Sequence, residues 1–79
     1  MIIDFGPLRG KMREKGYTQE KLAKAIGMAP SSLNLKLNNK RDFTILEALI
    51  IAKVLGIREM EPYFFTEKLA KPKARNGRN

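Results

Sequence analysis

The sequence of 79 residues contains no cysteine and no histidine. Without cysteine, neither a disulfide nor a thiolate metal site can stabilise the fold. The most common general base and the strongest side-chain nucleophile are also missing. The eight carboxylates are scattered and form no pair in an apolar setting. We therefore expect a protein that is not an enzyme and that has no metal, no cofactor and no small-molecule substrate.

Long hydrophobic runs are missing as well. No apolar stretch approaches the roughly 20 residues of a membrane-spanning helix. The first seven residues, MIIDFGP, lack the basic start and the apolar stretch of a signal peptide. The sequence thus predicts a soluble, cytoplasmic protein without membrane contact. Its length allows one domain at most, with a thin margin of stability.

The net charge of +8 is distributed unevenly along the chain. Residues 1–41 carry nine basic and three acidic side chains, a net charge of +6, and residues 42–67 carry two and five, a net charge of −3. Residues 68–79 carry five basic side chains and no acidic one. A polyanion is therefore expected to meet the N-terminal half. Composition further predicts a folded domain over residues 1–66 and a basic, disordered tail over residues 67–79.

Start and stop signals predict four helices and a short fifth one. Thr18 is a candidate N-cap, and Thr44 with Glu47 forms a candidate capping box. Gly27 and Gly56 are expected to end helices, and Asn39 to take the positive φ that ends a third. The helices are expected at about residues 7–15, 18–26, 30–38 and 44–56, with a short turn or helix at about 58–65. Only residues 2–5 carry a strand signal, as an edge strand.

The fourth helix is more apolar than a helix with one buried face needs to be. Its predicted inward stripe is Ile45, Leu49, Ala52 and Leu55, and a second stripe of Leu46, Ile50 and Val54 would face water. The last turn, with Tyr63 and Phe64, is one candidate cover for this stripe. We favour a second copy of the chain, packed about a two-fold axis on Leu46, Ile50, Val54 and Tyr63.

The pattern of residues 18–33 predicts two helices that pack closely against each other. Ala23 is a small residue on the inner side of the first helix, which lets the next helix approach. Gly27 allows a sharp turn, and small polar residues begin the second helix. The second helix would then project far enough to enter a DNA groove about 12 Å wide.

These residues resemble the Cro/repressor helix-turn-helix family, and small phage regulators of Gram-positive bacteria in particular. The resemblance covers about residues 7–65 and rests on Thr18-Gln19, Leu22-Ala23, Gly27, Leu33, Lys36-Leu37-Asn38-Asn39-Lys40, Phe43-Thr44, Leu49, Ala52 and Leu55-Gly56-Ile57. It implies an all-α, compact four- to five-helix bundle with a helix-turn-helix, like that of lambda repressor. Two residues depart from the pattern: Asn39 replaces the usual glycine, and Leu35 replaces a polar or basic reading residue.

The resemblance implies a sequence-specific transcriptional regulator, a Cro-like repressor that occupies a palindromic operator as a homodimer. The partner is double-stranded DNA, and the setting is the cytoplasm of a bacterial cell, with a phage or prophage as the source. Base contacts are expected from Pro30, Ser31, Asn34 and Leu35. Phosphate contacts are expected from Gln19, Ser32, Lys36, Asn38, Asn39, Lys40 and Arg41.

Two other functions stay open. The same fold could be a protein-interaction module, an antirepressor or an antitoxin-like partner, because the surplus apolar stripe suits either role. The basic tail could also bind nucleic acid without reading bases. The basic N-terminal half and the polar third helix favour specific DNA binding.

Overall fold

The protein is a small all-α bundle, as the sequence predicts. The computed structural model describes residues 2–68, with α1 at Gly6–Glu14, α2 at Gln19–Ile26, α3 at Pro30–Leu37 and α4 at Ile45–Leu55. One turn of π-helix, Glu61–Phe65, follows and is named the C-terminal turn. Over these residues no helix is long and apolar enough to cross a membrane.

The predicted caps begin α2 and α4. The Thr18 hydroxyl accepts a hydrogen bond from the backbone N–H of Lys21. At α4 the Thr44 hydroxyl accepts from the N–H of Glu47, and the Glu47 carboxylate accepts from the N–H of Thr44. Both pairs satisfy N–H groups that have no partner inside the helix. The capping box is therefore confirmed.

Within residues 2–68, each of the four α-helices is followed, one or two positions after its last residue, by a residue with positive φ, namely Gly16, Gly27, Asn39 and Gly56. Gly27 has φ 74°, and the following N–H, of Met28, donates to the carbonyl of Ala23. This Schellman arrangement closes α2 and turns the chain sharply toward α3. Asn39 has φ 61° and ends α3 in the same way, because its side chain tolerates the left-handed conformation better than most.

The core lies between the helices, and the inward stripe predicted for α4 is confirmed at Ala52 and Leu55 and wrong at its other two positions. The inward residues of α4 are Ala48, Ile51, Ala52 and Leu55. Ile45 and Leu49, which were expected to be buried, are 65% and 50% exposed. Nearly every position of α4 is apolar, so its periodicity alone could not select the buried side.

The residues that precede α1 pair with those that follow the C-terminal turn. Ile3 and Glu67 form an isolated antiparallel bridge, so the predicted edge strand is reduced to one bridged pair. The N–H of Asp4 donates to the carbonyl of Thr66 at 2.8 Å. Pairing therefore continues past residue 66, where the domain was expected to end. The tail predicted to be disordered spans residues 67–79, of which residues 69–79 lie outside the described residues.

Three aromatic side chains pack between these residues and the helices. The Phe5 and Phe43 ring centroids are 5.3 Å apart, and those of Phe43 and Phe64 are 5.7 Å apart, both edge to face. Phe5 and Phe64 are buried. The C-terminal turn is thereby fixed against the start of α1 and the loop before α4, which leaves the outer side of α3 uncovered.

Candidate nucleic-acid interface

The packing of α2 against α3 sets the position of α3. Only residues 27–29 connect the two helices, which pack against each other, and Ala23 of α2 is completely buried. Leu33 and Leu37 are buried on the inner side of α3. The opposite side of α3 therefore faces solvent, and the fold fixes its orientation.

The outer surface of α3 is polar and carries no carboxylate. Pro30, Ser31, Asn34 and Asn38 are exposed, whereas Ser32 and Leu35 are half-buried. The helix sequence PSSLNLKL contains one cation and no acidic residue. A polyanion could therefore approach this surface without like-charge repulsion from α3 itself.

Three predicted site residues are joined by a chain of hydrogen bonds between side-chain amides. The Asn34 Nδ2 donates to Gln19 Oε1 at 3.1 Å, across from α3 to the start of α2. The Asn38 Nδ2 donates to Asn34 Oδ1 at 3.2 Å. Asn38 Oδ1 in turn accepts from the Arg9 NH2 group at 3.0 Å. We name these four residues the amide chain.

Arg9 of α1 is the member of the amide chain that was not predicted as a site residue. From the sequence alone, it is one of the nine basic residues over residues 1–41, with nothing to distinguish it. Arg9 lies 29 positions before Asn38, and no local spacing rule connects α1 with the end of α3. Only the packed bundle brings the two residues together.

Lys36 lies on the opposite flank of α3, two residues or about 200° around the helix from Asn34. Its Nζ contacts both carboxylate oxygens of Glu47 in α4, at 2.7 and 2.8 Å. This hydrogen bond, followed by the one from the Thr44 backbone, lowers the pKa of Glu47 below its ordinary value. The predicted phosphate contact of Lys36 stays a prediction, and the contact in the structure is an ion pair between helices.

The loop after α3 contains three more of the predicted phosphate contacts, Asn39, Lys40 and Arg41. Lys40 and Arg41 are exposed. The side chain of Asn39 instead binds the backbone of Ile3 through two hydrogen bonds. The predicted contacts of the three residues with phosphate stay predictions, but only Lys40 and Arg41 present an exposed cation.

An apolar face covers the outer side of α4. It consists of Ile45, Leu46, Leu49 and Ile50, which are between 36% and 66% exposed, and we name it the α4 apolar face. Of the residues predicted for a dimer interface, Leu46 and Ile50 belong to it. Val54 and Tyr63 are half-buried and pack against the core. The C-terminal turn therefore leaves much of α4 uncovered.

These features define a small helical bundle with a polar outer helix, α3, and a separate apolar one, α4. The chain belongs to the family described as "Protein of unknown function (DUF739)", which matches residues 1–67. The match includes all five helical elements and the bridge at Glu67. Comparison with the curated proteins gave no match.

Proposed function

We propose that the protein is a sequence-specific DNA-binding regulator of the Cro type, in which α2 and α3 form a helix-turn-helix. The single observation that carries the proposal is the row of side-chain amides that runs from Gln19, at the start of α2, to Asn34 on the outer side of α3 and Asn38 just after it. An amide donates and accepts together, which matches the base edges in the major groove, above all adenine. A surface that bound only phosphates would need cations there instead.

The surroundings of the amides support contact with the DNA backbone. Gln19 is the first residue of α2, so its amide and the helix N-terminus would face the same phosphate. Lys40 and Arg41 are exposed in the loop after α3 and would contact phosphates near the C-terminal end of that helix. Ser31 and Leu35 would complete the base contacts, Leu35 against a thymine methyl group.

The homodimer belongs to the same proposal. A pair of α3 helices about one DNA turn apart would match a palindromic operator. The α4 apolar face is the part of the described surface that a second copy would cover, since four large apolar side chains in contact with water are costly. The regulator would act as a repressor in the cytoplasm of a bacterial cell, encoded by a phage or prophage.

The α4 apolar face also favours a second candidate function. A protein-interaction module, such as an antirepressor or an antitoxin-like partner, would use this face to bind a different protein. Such a protein would have no need for the exposed amides of Asn34 and Asn38. The two functions are therefore separated by whether α3 reads bases.

The test begins with selection of a duplex from a random DNA pool by the parent protein. Asn34→Ala should then weaken binding to the selected duplex about tenfold or more, because a paired amide–adenine contact contributes about 1–3 kcal/mol to discrimination. Binding to a scrambled duplex should hardly change. Lys40→Ala should weaken binding to both duplexes and lower the salt dependence by about one unit of slope.

Thermal unfolding of both variants serves as the control for folding. Asn34 is exposed on a helix, where alanine is the better helix former, so little stability should be lost. If the pool yields no preferred sequence, or if Asn34→Ala and Ser31→Ala both bind like the parent, sequence-specific recognition is wrong and the protein-interaction function takes its place.

A further inference from the structure

Arg9 completes the C-terminal end of α3. The carbonyls of Asn34, Leu35 and Lys36 accept from backbone N–H groups of the following turn. The carbonyl of Leu37 accepts from the Arg9 NH2 group at 3.3 Å. A guanidinium at this end of a helix is also favourable for the helix dipole. Arg9 is therefore bound to the backbone of the helix whose side chains it contacts.

The guanidinium fixes the direction of every hydrogen bond in the amide chain. Arginine has donors and no acceptor, so Asn38 must turn its oxygen toward Arg9. The Asn38 nitrogen then points to Asn34, whose oxygen accepts. The Asn34 nitrogen consequently donates to Gln19. Flipping any one amide would bring two donors or two acceptors together.

The direction of these hydrogen bonds determines which donors and acceptors of Asn34 and Gln19 are not used within the amide chain. Asn34 uses one N–H and one lone pair inside the chain, which leaves one donor and one acceptor side by side. Adenine presents the matching pair, the N7 acceptor and the N6 donor, in the major groove. Gln19 uses its oxygen inside the chain, so its NH2 group is left to donate to an anionic phosphate.

We propose that Arg9 is a positioning residue that, by fixing the amide chain, sets the preference of Asn34 for adenine at one base pair of the DNA site. The proposal rests on the proposed function and adds to it a residue that touches no base. Without Arg9 the amides of Asn38, Asn34 and Gln19 could flip together, which would keep each hydrogen bond between them but reverse its direction. The remaining donor and acceptor of Asn34 could then exchange positions relative to the base, and the preference for adenine would fall.

The test compares three variants on duplexes that differ from the selected duplex at one base pair each. Arg9→Met removes the donors and keeps a long side chain. It should reduce the preference at the base pair read by Asn34 about fivefold or more, which is the lower end of what one such contact provides. Arg9→Lys retains a side chain that can only donate, so it should restore most of the preference.

Arg13→Met is the matched control, because Arg13 is an exposed cation on the same helix. It removes the same charge and should weaken binding to every duplex alike, with the base preference intact. A loss of stability in Arg9→Met would also lower binding to every duplex by one factor. A change in preference at one base pair is thus specific to the positioning role.

Each outcome decides the question. If Arg9→Met keeps the base preference of the parent, Arg9 has no positioning role and base reading by Asn34 stands without it. If Arg9→Lys loses the preference as fully as Arg9→Met, donation does not orient the amides and the proposal is overturned. If the parent discriminates among none of the duplexes, the proposed function itself is wrong, and the proposal is overturned with it.

Discussion

Asn39 pairs with the backbone of Ile3 in both directions. The N–H of Ile3 donates to Asn39 Oδ1 at 2.9 Å, and Asn39 Nδ2 donates to the carbonyl of Ile3 at 2.9 Å. The amide of Asn39 thus makes the two hydrogen bonds that the backbone of a neighbouring strand would otherwise make with Ile3. Asparagine at the end of α3 therefore combines two properties: it adopts positive φ, and it holds the residues before α1 in place.

The first prediction separates these two properties. Asn39→Gly keeps the positive φ and removes the two hydrogen bonds, which should lower the free energy of unfolding by about 1–2 kcal/mol. Asn39→Ala removes the hydrogen bonds and adds backbone strain, so it should cost about 1 kcal/mol more. Denaturant unfolding of the parent and both variants measures the difference. Equal stability of Asn39→Gly and the parent would show that the pairing with Ile3 contributes nothing.

The second prediction concerns the ion pair between α3 and α4. The folded-state pKa of Glu47 lies below its ordinary value of about 4.5, so the stabilisation is complete above that pH. It is lost as the pH falls through the folded-state pKa, because the protonated carboxyl no longer pairs with Lys36. The parent should therefore lose stability on acidification, relative to a variant that cannot titrate at this position.

Glu47→Gln is that variant, because glutamine can still complete the capping box with Thr44. At pH 7 it should be less stable than the parent by about 1 kcal/mol or less, as the pair is partly exposed. As the pH falls below 4.5 and through the folded-state pKa of Glu47, the difference between the two unfolding free energies should shrink toward zero. A difference that stays constant from pH 7 to pH 3 would contradict the role assigned to the ion pair.

The third prediction concerns the α4 apolar face. Leu46→Glu places a charge at its most exposed position and should give a folded monomer, which sedimentation velocity would detect. Binding to the selected duplex should weaken strongly, since two linked contacts become independent. Ala25→Glu adds the same charge at an exposed position of α2 and should leave the dimer intact. If Leu46→Glu sediments as a dimer, the interface lies elsewhere.

The fourth prediction concerns the basic residues at the end of the sequence. Truncation after Leu69 removes four cations and leaves the bridge between Ile3 and Glu67 in place. We expect unchanged stability and weaker binding to specific and scrambled DNA alike. The salt slope should fall by about 0.9 for each phosphate that these cations no longer neutralise. A change in sequence preference would instead make these residues a reading element.

Truncation after Phe65 is the contrasting variant. It also removes Glu67 and the carbonyl of Thr66, to which the N–H of Asp4 donates. This variant should be less stable than the one truncated after Leu69, by about 1–3 kcal/mol for the missing backbone hydrogen bonds. Denaturant unfolding of the two truncated proteins tests this, and equal stability would show that the bridge contributes nothing.

Local chemistry made the helix boundaries predictable. Thr18, Thr44 and Glu47 act on N–H groups within three residues, and Gly27 and Gly56 act through their own φ, so the sequence alone indicates where the helices begin and end. The burial of α4 was not predictable in this way. An apolar residue occupies almost every position, so several registers satisfy the helical period, and packing against the other elements selects one.

The candidate site was predictable residue by residue but not as an arrangement. Gln19, Asn34 and Asn38 were named individually, because amides near the start of one helix and along the next fit the expected pattern. The hydrogen bond that joins Asn38 to Arg9 spans 29 positions in the sequence and arises from packing. The same holds for Asn39 and Ile3, which are 36 positions apart. No spacing rule links residues across such distances.

The bridge between Ile3 and Glu67 has a consequence for the order of folding. The helices form from neighbouring residues, whereas this pair closes a loop across nearly the whole described chain. Its loop-closure entropy is therefore among the most costly in the structure. We therefore expect pulsed hydrogen exchange to protect the amide of Leu33 before that of Asp4. Because Asn39 binds Ile3, the loop after α3 takes its final shape only in this late step. If the proposed function is right, the helices would thus form before the loop that carries the expected phosphate contacts Lys40 and Arg41 takes its shape.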